Sequence, residues 1–499
     1  MKGCDILFKD NLVACSQGIL RGEPLDGVTV FRGVPFAMPP VGNLRWRAPQ
    51  PPSPWRGIRP AVQFSAIPVQ VRGHFADPYE PAWQSEDCLY LNIWTPASGT
   101  NDKLPVLVWF YGGSYQGGHA DDPTFDGTGY AKKGVITVTV NYRVGLMGFL
   151  CHPDMRRENP DGVSGNFGVL DQIAALKWVN ENIGAFGGDP SKITIAGQSA
   201  GSASVCCLMC SPKASGLFQQ AICESGDVFQ PERDIPFSDA EQIGIKLAGH
   251  FGCKSLEELR AIPFTELVRA DYDAAVAVTG RGCTPVIDGV IIPESQCNMI
   301  LRNKAAKIPL LVGTNADEGH HGPPGDYINR IVSMLDLPGD LYPAGECAEE
   351  SAGRLCRDYW YARHLAWAKI RSIDYGLPTW QYVFFRGIGS RGAIHSLELP
   401  YVFQTLGRQG AMRAQCTEKD YMLSEIMSNY WVNFIRNGDP NGPGLPRWDA
   451  KAEGTGHMRF GIECRMADDY FRDEHKIICP AVYRWMKGRA RQGDAASAG

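Results

Sequence analysis

The chain has 499 residues, of which 44% are hydrophobic and 21% are charged, the composition of an ordinary globular protein. A formal net charge of −5 without a long basic run argues against nucleic acid as a partner. No run of 18 uninterrupted apolar residues occurs, so we expect no segment that spans a membrane.

Several sequence features point to a cytoplasmic protein. Charge interrupts the apolar residues at the N-terminus too early for a signal peptide, and no Asn-x-Ser/Thr sequon occurs. The 16 cysteines are scattered, as expected for free thiols in a reducing compartment. The one cluster, Cys206, Cys207 and Cys210, lacks a neighbouring histidine or fourth cysteine, so we interpret it as small buried apolar side chains. We therefore expect no metal and no cofactor.

Strand and helix patterns alternate along the chain. Short apolar, β-rich runs predict strands, and one stretch with helical spacing of apolar residues predicts a helix. The predicted strands cover residues 104–110, 135–141, 192–196, 308–313 and 379–385, and the predicted helices cover residues 169–183 and 200 onward. A Gly-Gly-Asp-Pro turn is expected at 187–190, ahead of the third strand.

This alternation predicts an α/β fold with a doubly wound, mostly parallel sheet. We expect a single domain over residues 1–486, with mainly helical, cap-like insertions around 215–300 and 319–375. Residues 487–499 are expected to form a disordered tail.

The sequence Gly-Gln-Ser-Ala-Gly at 197–201 lies where a predicted strand turns directly into a predicted helix. Such a junction crowds its own backbone, and glycines on both sides of Ser199 relieve the crowding while the serine is exposed. A hydroxyl at a helix N-terminus is favoured when negative charge develops on it. Ser199 is therefore a candidate nucleophile, although chance could supply the bare pattern.

A glycine-rich loop, Tyr-Gly-Gly-Ser-Tyr at 111–115, follows the strand at 104–110. Its backbone N–H groups could bind an oxyanion, with the N–H of Ala200 as a further donor.

A serine hydroxyl becomes a good nucleophile only when a histidine takes its proton and a carboxylate orients that histidine. In α/β-hydrolases the carboxylate and the histidine both follow the serine in the chain. Asp317 and Glu318 come just after the strand at 308–313, and spacing alone does not decide between them. Of the six histidines that follow, His395 is best placed, in a loop after the strand at 379–385. The other five are His320, His321, His364, His457 and His475.

Ordered motifs over residues 15–485 resemble the type-B carboxylesterases, which include para-nitrobenzyl esterases and cholinesterases. They are Phe-Arg-Gly-Val-Pro-Phe-Ala at 31–37, Ser-Glu-Asp-Cys-Leu-Tyr-Leu-Asn at 85–92, Asn-Tyr-Arg-Val-Gly at 141–145, Phe-Gly-Gly-Asp-Pro at 186–190 and Gly-Asp-Pro-Asn at 438–441. The resemblance implies an α/β-hydrolase fold and ester hydrolysis.

The resemblance also implies residue roles. The nucleophile, acid and base would be Ser199, Glu318 and His395. The oxyanion donors would be Gly113, Ser114 and Ala200, and Ser225 would stand behind the triad. Structural ion pairs would join Arg45 to Glu86 and Arg143 to Asp171, which leaves Asp171, like Glu224, outside the catalytic set.

Three departures from the family pattern concern these motifs. The oxyanion loop carries Ser114 where most relatives have glycine and Tyr111 where many have histidine. Cys88 occupies a half-cystine position of secreted relatives, while Ile67 stands at its usual partner site. Gln198 replaces a glutamate.

The expected function is a serine carboxylesterase acting on a small-molecule ester, with an unknown oligomeric state. Two alternatives are a non-catalytic adhesion or binding protein on the same fold, and a lipase with an apolar lid. The ester itself is not specified by the sequence, and Trp83, Tyr115 and Phe229 are guesses for the pocket wall.

Overall fold

The computed structural model describes nine stretches of the chain. They cover residues 10–71, 83–229, 235–268, 283–318, 326–343, 348–389, 392–408, 413–452 and 456–496. The chain divides into two compact units, and each is described by itself. The first unit comprises residues 1–220 and 230–296, and the second comprises residues 221–229 and 297–499.

Nine strands lie in the described residues of the first unit. They are β1 (Leu12–Cys15), β2 (Gly18–Arg21), β3 (Glu23–Leu25), β4 (Val28–Pro35), β5 (Ile58–Pro60), β6 (Tyr90–Thr95), β7 (Leu104–Phe110), β8 (Ile136–Val140) and β9 (Gly188–Gln198). Strands β1, β2 and β5 form a small sheet, and the other six lie in the order β3-β4-β6-β8-β7-β9. Antiparallel pairs join β3 to β4, β4 to β6 and β6 to β8, while β7 is parallel to both β8 and β9.

The described stretches of this unit hold seven α-helices. They are α1 (Thr128–Lys132), α2 (Gly145–Phe149), α3 (Pro153–Glu158), α4 (Phe167–Asn182), α5 (Ala200–Cys210), α6 (Phe237–His250) and α7 (Leu256–Ala261). Strands β7 and β8 are apolar nearly throughout and buried, as expected of parallel strands covered on both faces.

Five strands and six α-helices lie in the part of the second unit that the structure describes. The strands are β10 (Gln220–Glu224), β11 (Leu310–Asn315), β12 (Thr379–Phe384), β13 (His457–Phe460) and β14 (Arg465–Ala467). The helices are α8 (Gln296–Leu301), α9 (Asp326–Leu335), α10 (Ala348–Lys369), α11 (Leu399–Val402), α12 (Glu418–Asn437) and α13 (His475–Ala496). Strands β10 to β13 are parallel neighbours, and β14 pairs antiparallel with β13. Polar residues that follow β10, β11 and β12 can therefore gather at one edge.

The predicted strands and helices are confirmed with shifts of their ends, but the stretch 215–300, predicted to be mainly helical, also contains the strand β10. The strand expected at 104–110 is β7 itself, and the strand expected at 308–313 begins two residues later, as β11. The turn predicted at 187–190 is wrong beyond its first glycine, because β9 already begins at Gly188, which pairs with Leu104.

The C-terminal segment also differs from expectation. Helix α13 continues to Ala496, so most of the predicted tail at 487–499 is helical, and its last three residues lie outside the described part. The single domain over 1–486 stays a prediction. Within the described stretches, no helix is both long enough and apolar enough to cross a membrane.

Candidate active site

Ser199 occupies the junction between β9 and α5, as the glycine pattern predicts. Its backbone lies at φ 57° and ψ −122°, outside the regions that serine ordinarily adopts. The residue precedes the first turn of α5, and its side chain is half-buried. A strained serine at the start of a helix has its hydroxyl next to N–H groups that carry partial positive charge.

Glycine is required on both sides of Ser199 because backbone comes too close for a side chain. A Cβ on Gly201 would lie 2.0 Å from the carbonyl oxygen of Phe110, at the end of β7. A Cβ on Gly197 would lie 2.4 Å from the carbonyl carbon of Gly201. The two glycines therefore let helix α5 start directly against the neighbouring strand.

The candidate oxyanion loop belongs to the same unit and follows β7. Gly113 has φ 111°, and a Cβ there would lie 2.3 Å from the carbonyl oxygen of Gly117. Ser114 also has positive φ, 54°, although it is not glycine, and its side chain is exposed.

Tyr111, which stands where many relatives have histidine, packs beneath this loop. Its ring stacks on Tyr142 with centroids 4.3 Å apart. Each hydroxyl donates a hydrogen bond to the other residue's carbonyl oxygen, over 2.7 Å in both cases. Sequence reasoning missed this pair. Since Tyr111 is buried and fully engaged with Tyr142, it acts on the loop through packing.

In the second unit, Glu318 and His395 form a direct pair. Nδ1 of His395 lies 2.6 Å from Oε2 of Glu318, and the other carboxylate oxygen accepts the backbone N–H of Asn315 over 2.9 Å. Burial disfavours the charged imidazolium, but the Glu318 carboxylate outweighs it, so the pKa of His395 is raised above its ordinary value. A buried carboxylate that orients an imidazole is the arrangement needed to activate a hydroxyl.

Asp317, the alternative acid, contacts the histidine loop without contacting the histidine. Its Oδ2 accepts the N–H of Ala393 over 3.0 Å, and its own N–H donates to the carbonyl oxygen of Ala393 over 3.0 Å. Arg472 lies 3.3 Å from its other carboxylate oxygen. Asp317 thus holds the loop at Ala393, two residues before His395. The contact with His395 is made by Glu318, so the structure distinguishes the two acids between which sequence spacing does not decide.

The other candidate histidines have different surroundings. His320 and His321 lie outside the described residues. His364 is buried near Asp227, with Nδ1 3.4 Å from the carboxylate, and burial lowers its pKa. Burial lowers the pKa of His457 to about 3, and Nε2 of His475 lies 3.3 Å from Asp358. Among the described histidines, His395 is thus the one paired with Glu318.

Ser225 belongs to the second unit, directly after β10. Its N–H donates to the carbonyl oxygen of Gly313 over 2.8 Å, and its hydroxyl donates to Glu398 over 3.3 Å. Glu398 in turn accepts from the amide of Asn315. Sequence reasoning missed Asn315 and Glu398, although Glu398 lies in the Leu-Glu-Leu-Pro segment that follows His395.

Both ion pairs implied by the resemblance are present in the first unit. Nε of Arg45 lies 2.6 Å from Glu86, and Arg143 contacts both carboxylate oxygens of Asp171 at 2.7 and 2.8 Å. Burial raises the pKa of Asp171 even though Arg143 opposes the shift. Since Asp171 is fully engaged with Arg143, the pair stabilises the loop after β8.

The clustered cysteines Cys206, Cys207 and Cys210 are buried on α5, as an apolar role requires. No group of three or more histidine, cysteine or acidic side chains in the described stretches is arranged to bind a metal ion. Of the pocket-wall guesses, Trp83 is 64% exposed, while Tyr115 and Phe229 are buried.

The site residues are divided between the two units. Ser199, Gly113, Ser114 and Ala200 lie in the first unit, and Glu318, His395 and Ser225 lie in the second. The structure brings Glu318 and His395 into contact and ties Ser225 to the same cluster through Glu398.

Comparison with known proteins identifies the family of this chain. The model of the carboxylesterase family matches residues 9–330 and 345–477. The chain belongs to the carboxylesterase family. The type-B carboxylesterase resemblance is thereby confirmed, and the protein is a carboxylic ester hydrolase.

Individual relatives agree with this assignment. A fumonisin B1 esterase of Sphingopyxis macrogoltabida is 35% identical over 468 residues, covering 90% of this chain and 86% of that protein. A para-nitrobenzyl esterase of Bacillus subtilis is 34% identical over 470 residues, covering 89% and 93%. A solved structure of a PNB esterase superposes with a TM-score of 0.83 at 31% identity, covering 94% of this chain and 99% of that one. The predicted α/β-hydrolase fold of this carboxylesterase is thereby confirmed.

Proposed function

We propose that this carboxylesterase works through an acyl-enzyme on Ser199, with His395 as the base and Glu318 as the acid that orients it. The 2.6 Å contact between His395 and Glu318 is the observation that carries the proposal. It occupies Nδ1 and so leaves Nε2 as the nitrogen that exchanges a proton with the serine hydroxyl. The strained backbone of Ser199 at the head of α5 supports its role as the nucleophile.

The proposed reaction has two steps. Oγ of Ser199 bonds to the ester carbonyl carbon while Nε2 of His395 takes the hydroxyl proton. That proton then passes to the alcohol oxygen as its bond to the acyl carbon breaks. In the second step a water gives its proton to His395 and attacks the acyl carbon, and Ser199 leaves with the returned proton as the acid is released.

Negative charge on the carbonyl oxygen needs donors in both steps. We assign this role to the backbone N–H groups of Gly113, Ser114 and Ala200. Removing one such donor from an oxyanion hole typically costs about 2.7–4 kcal/mol of transition-state stabilisation. Because donation is from the backbone, serine at position 114 is compatible with the role.

The test is Ser199→Ala, assayed with a short-chain nitrophenyl ester. We expect kcat to fall roughly 10⁴-fold or more, because the bond-forming atom is lost. Ser191→Ala is the matched control, since that exposed hydroxyl lies near the start of β9 and hydrogen-bonds to Asp189, two residues earlier. Near-wild-type hydrolysis by a correctly folded Ser199→Ala protein would contradict the proposal.

An organophosphonate that labels serine nucleophiles gives a second measurement. We expect one label on wild type, located at Ser199 by mass spectrometry, and none on Ser199→Ala. A chain that had kept the fold only for binding would remain unlabelled.

The natural ester is best sought by varying its acyl and alcohol parts independently. Two relatives are named for a para-nitrobenzyl ester and for fumonisin B1. Both compounds therefore belong in a panel with short-chain aliphatic esters, and the highest kcat/KM identifies the class.

We also propose a cytoplasmic, reducing location. Cys88, at the half-cystine position of secreted relatives, is a free, buried thiol. Mass spectrometry of alkylated protein purified without reductant is expected to find Cys88 as a thiol, and a Cys88 disulfide would contradict the location.

A further inference from the structure

We propose that Glu398 is a positioning residue for His395: a buried carboxylate that ties the acid and base loops together and places a second negative charge behind Glu318. The inference deepens the proposed function and rests on it, because it assigns His395 the role of the base. Glu398 is not a catalytic residue in this proposal, since it acts through its neighbours.

Hydrogen bonds place Glu398 at the centre of three segments of the second unit. Its side chain is fully buried, at 0% exposure. Oε1 accepts from the hydroxyl of Ser225, after β10, over 3.3 Å. Oε2 accepts from the side-chain amide of Asn315, the last residue of β11, over 2.5 Å. Glu398 itself begins the turn into α11, three residues after His395.

Asn315 transmits this anchoring to the acid–base pair. Its amide also donates to the carbonyl oxygen of Ile394, the residue before His395, over 2.6 Å. Its backbone N–H donates to Glu318 over 2.9 Å. Removing Glu398 would therefore free the amide that holds both loops, and small displacements of a catalytic base reduce rate steeply.

Charge gives Glu398 a second effect on the histidine. Burial raises the pKa of Glu398, Glu318 raises it further, and His395 and Asn315 lower it, with a net value of about 7. When ionised, Glu398 adds to Glu318 in raising the pKa of His395. Since the two groups interact, each responds to the other's protonation.

A second buried carboxyl, Glu224 at the end of β10, differs from Glu398 in its contacts. Oε1 accepts from the indole N–H of Trp431 over 2.8 Å, whereas Oε2 has no hydrogen-bond partner in the described residues. An ionised carboxylate with an unpartnered buried oxygen is strongly disfavoured. Burial, and after it the Glu398 carboxylate, raises the pKa of Glu224 well above its ordinary value. Glu224 is thus a neutral acid beside an ionisable one.

Two further titratable groups border this cluster, Tyr382 and His364, and neither carries positive charge; the Arg363 guanidinium beyond them lies 3.2 Å from Asp227. Burial is the largest of the causes that raise the pKa of Tyr382, on β12, so its hydroxyl stays neutral. Burial lowers the pKa of His364, on α10, and keeps it neutral. From the same helix, the Trp360 ring packs edge-on against His395 at 5.5 Å between centroids. His395 is accordingly the cation that the Glu318 and Glu398 carboxylates stabilise.

The experiment compares Glu398→Gln with Glu224→Gln in the full-length protein. Both replacements keep the side-chain shape and one acceptor oxygen, but only Glu398→Gln removes a negative charge. The pKa of His395 is measured by titrating its ring carbon resonance in ¹³C-histidine-labelled protein, with the signal assigned from His395→Gln. We expect Glu398→Gln to lower this pKa by roughly half a unit or more, and Glu224→Gln to change it by less than about 0.2 units.

Two further readouts separate positioning from a merely structural role. For Glu398→Gln we expect kcat on a nitrophenyl ester to fall roughly tenfold with KM nearly unchanged, because orientation of the base matters in the transition state. In wild type the His395 signal should show a second inflection near pH 7, where Glu398 titrates. The wild-type titration serves as the test if Glu398→Gln does not fold.

The proposal is overturned if Glu398→Gln leaves the His395 pKa unchanged, or if Glu224→Gln moves it equally. It is also overturned if wild type titrates with one inflection and Glu398→Gln cannot be folded. The titration needs no ester, so it gives its answer even if wild type fails to hydrolyse esters. That failure would count against the proposed function alone.

Discussion

The two halves of the candidate site are built by different means. Around Ser199, in the first unit, the geometry depends on the absence of side chains, with Gly197 and Gly201 in contact with backbone atoms. Around His395, in the second unit, it depends on side chains, with Glu318, Asn315 and Glu398 joined by hydrogen bonds. Substitutions in the turn around Ser199 should therefore act through steric overlap with backbone. Substitutions in the acid–base cluster should act through the loss of charge and hydrogen bonds.

The largest effect is expected from Gly201→Ala. A Cβ there would lie 2.0 Å from the carbonyl oxygen of Phe110, and neither the strand nor the helix can move without breaking its own hydrogen bonds. We expect unfolding to become easier by roughly 3 kcal/mol or more, with loss of the folded, active enzyme. Thermal unfolding and ester hydrolysis check this.

Gly184→Ala is the matched control in the same unit. Gly184 has ordinary negative φ, and nothing lies within 4 Å of the place its Cβ would occupy, so the added methyl group meets open space. Its melting temperature and activity should stay close to wild type. Equal damage by both replacements would show that the close contact at Gly201 is not what limits the turn.

This difference also explains what the sequence could predict. The glycines at 197 and 201 flank Ser199 in one short motif, and β7 and β11 are continuous apolar runs, so local pattern locates them, although the backbone that Gly201 meets belongs to Phe110 on another strand. The choice of Glu318 over Asp317 depends instead on which carboxylate meets a histidine 77 residues later. Asn315 and Glu398 are 83 residues apart, and nothing in either segment signals their hydrogen bond.

The C-terminal segment is another place where local sequence did not predict the structure. Residues 487–499 are rich in small and polar side chains, which favoured a tail, yet α13 continues to Ala496. Helix α13 begins well before this stretch, so its last turns extend an existing helix and need no nucleus of their own.

The second-largest effect is expected from Glu318→Gln, which keeps the shape but removes the charge. We expect kcat to fall by ~10³–10⁴-fold, as when the acid of a serine triad is neutralised. The Glu318 carboxylate raises the pKa of His395, so its removal should lower that pKa and move the acid limb of kcat/KM to lower pH. The pH dependence of kcat/KM is the measurement.

Asp317→Ala is the neighbouring comparison. It removes the acceptor for the N–H of Ala393 and the contact with Arg472, but leaves Glu318 and His395 paired. We expect a decrease of only about threefold to tenfold in kcat, with the acid limb of the pH profile unmoved, because loop order is weakened and the charge beside His395 is kept. A larger loss with Asp317→Ala than with Glu318→Gln would reverse the two assignments.

The smallest effect is expected from Ser114→Gly, which tests the role of a side chain in the glycine-rich loop after β7. Ser114 is exposed and has φ 54°, a backbone conformation that costs a serine roughly 1–2 kcal/mol. Glycine removes this strain, but its greater freedom in the unfolded chain cancels about 0.5–1 kcal/mol of the gain in stability. We therefore expect stability to rise by up to about 1 kcal/mol, and kcat on a small ester to stay within threefold because donation is from the backbone.

Lys103→Gly, at φ 51° and also exposed, makes the same backbone change outside the loop and should raise stability alone. If the Ser114 side chain narrows the pocket, only Ser114→Gly will increase kcat/KM for bulky acyl groups, and equal behaviour of the two variants across the ester panel would remove Ser114 from substrate selection.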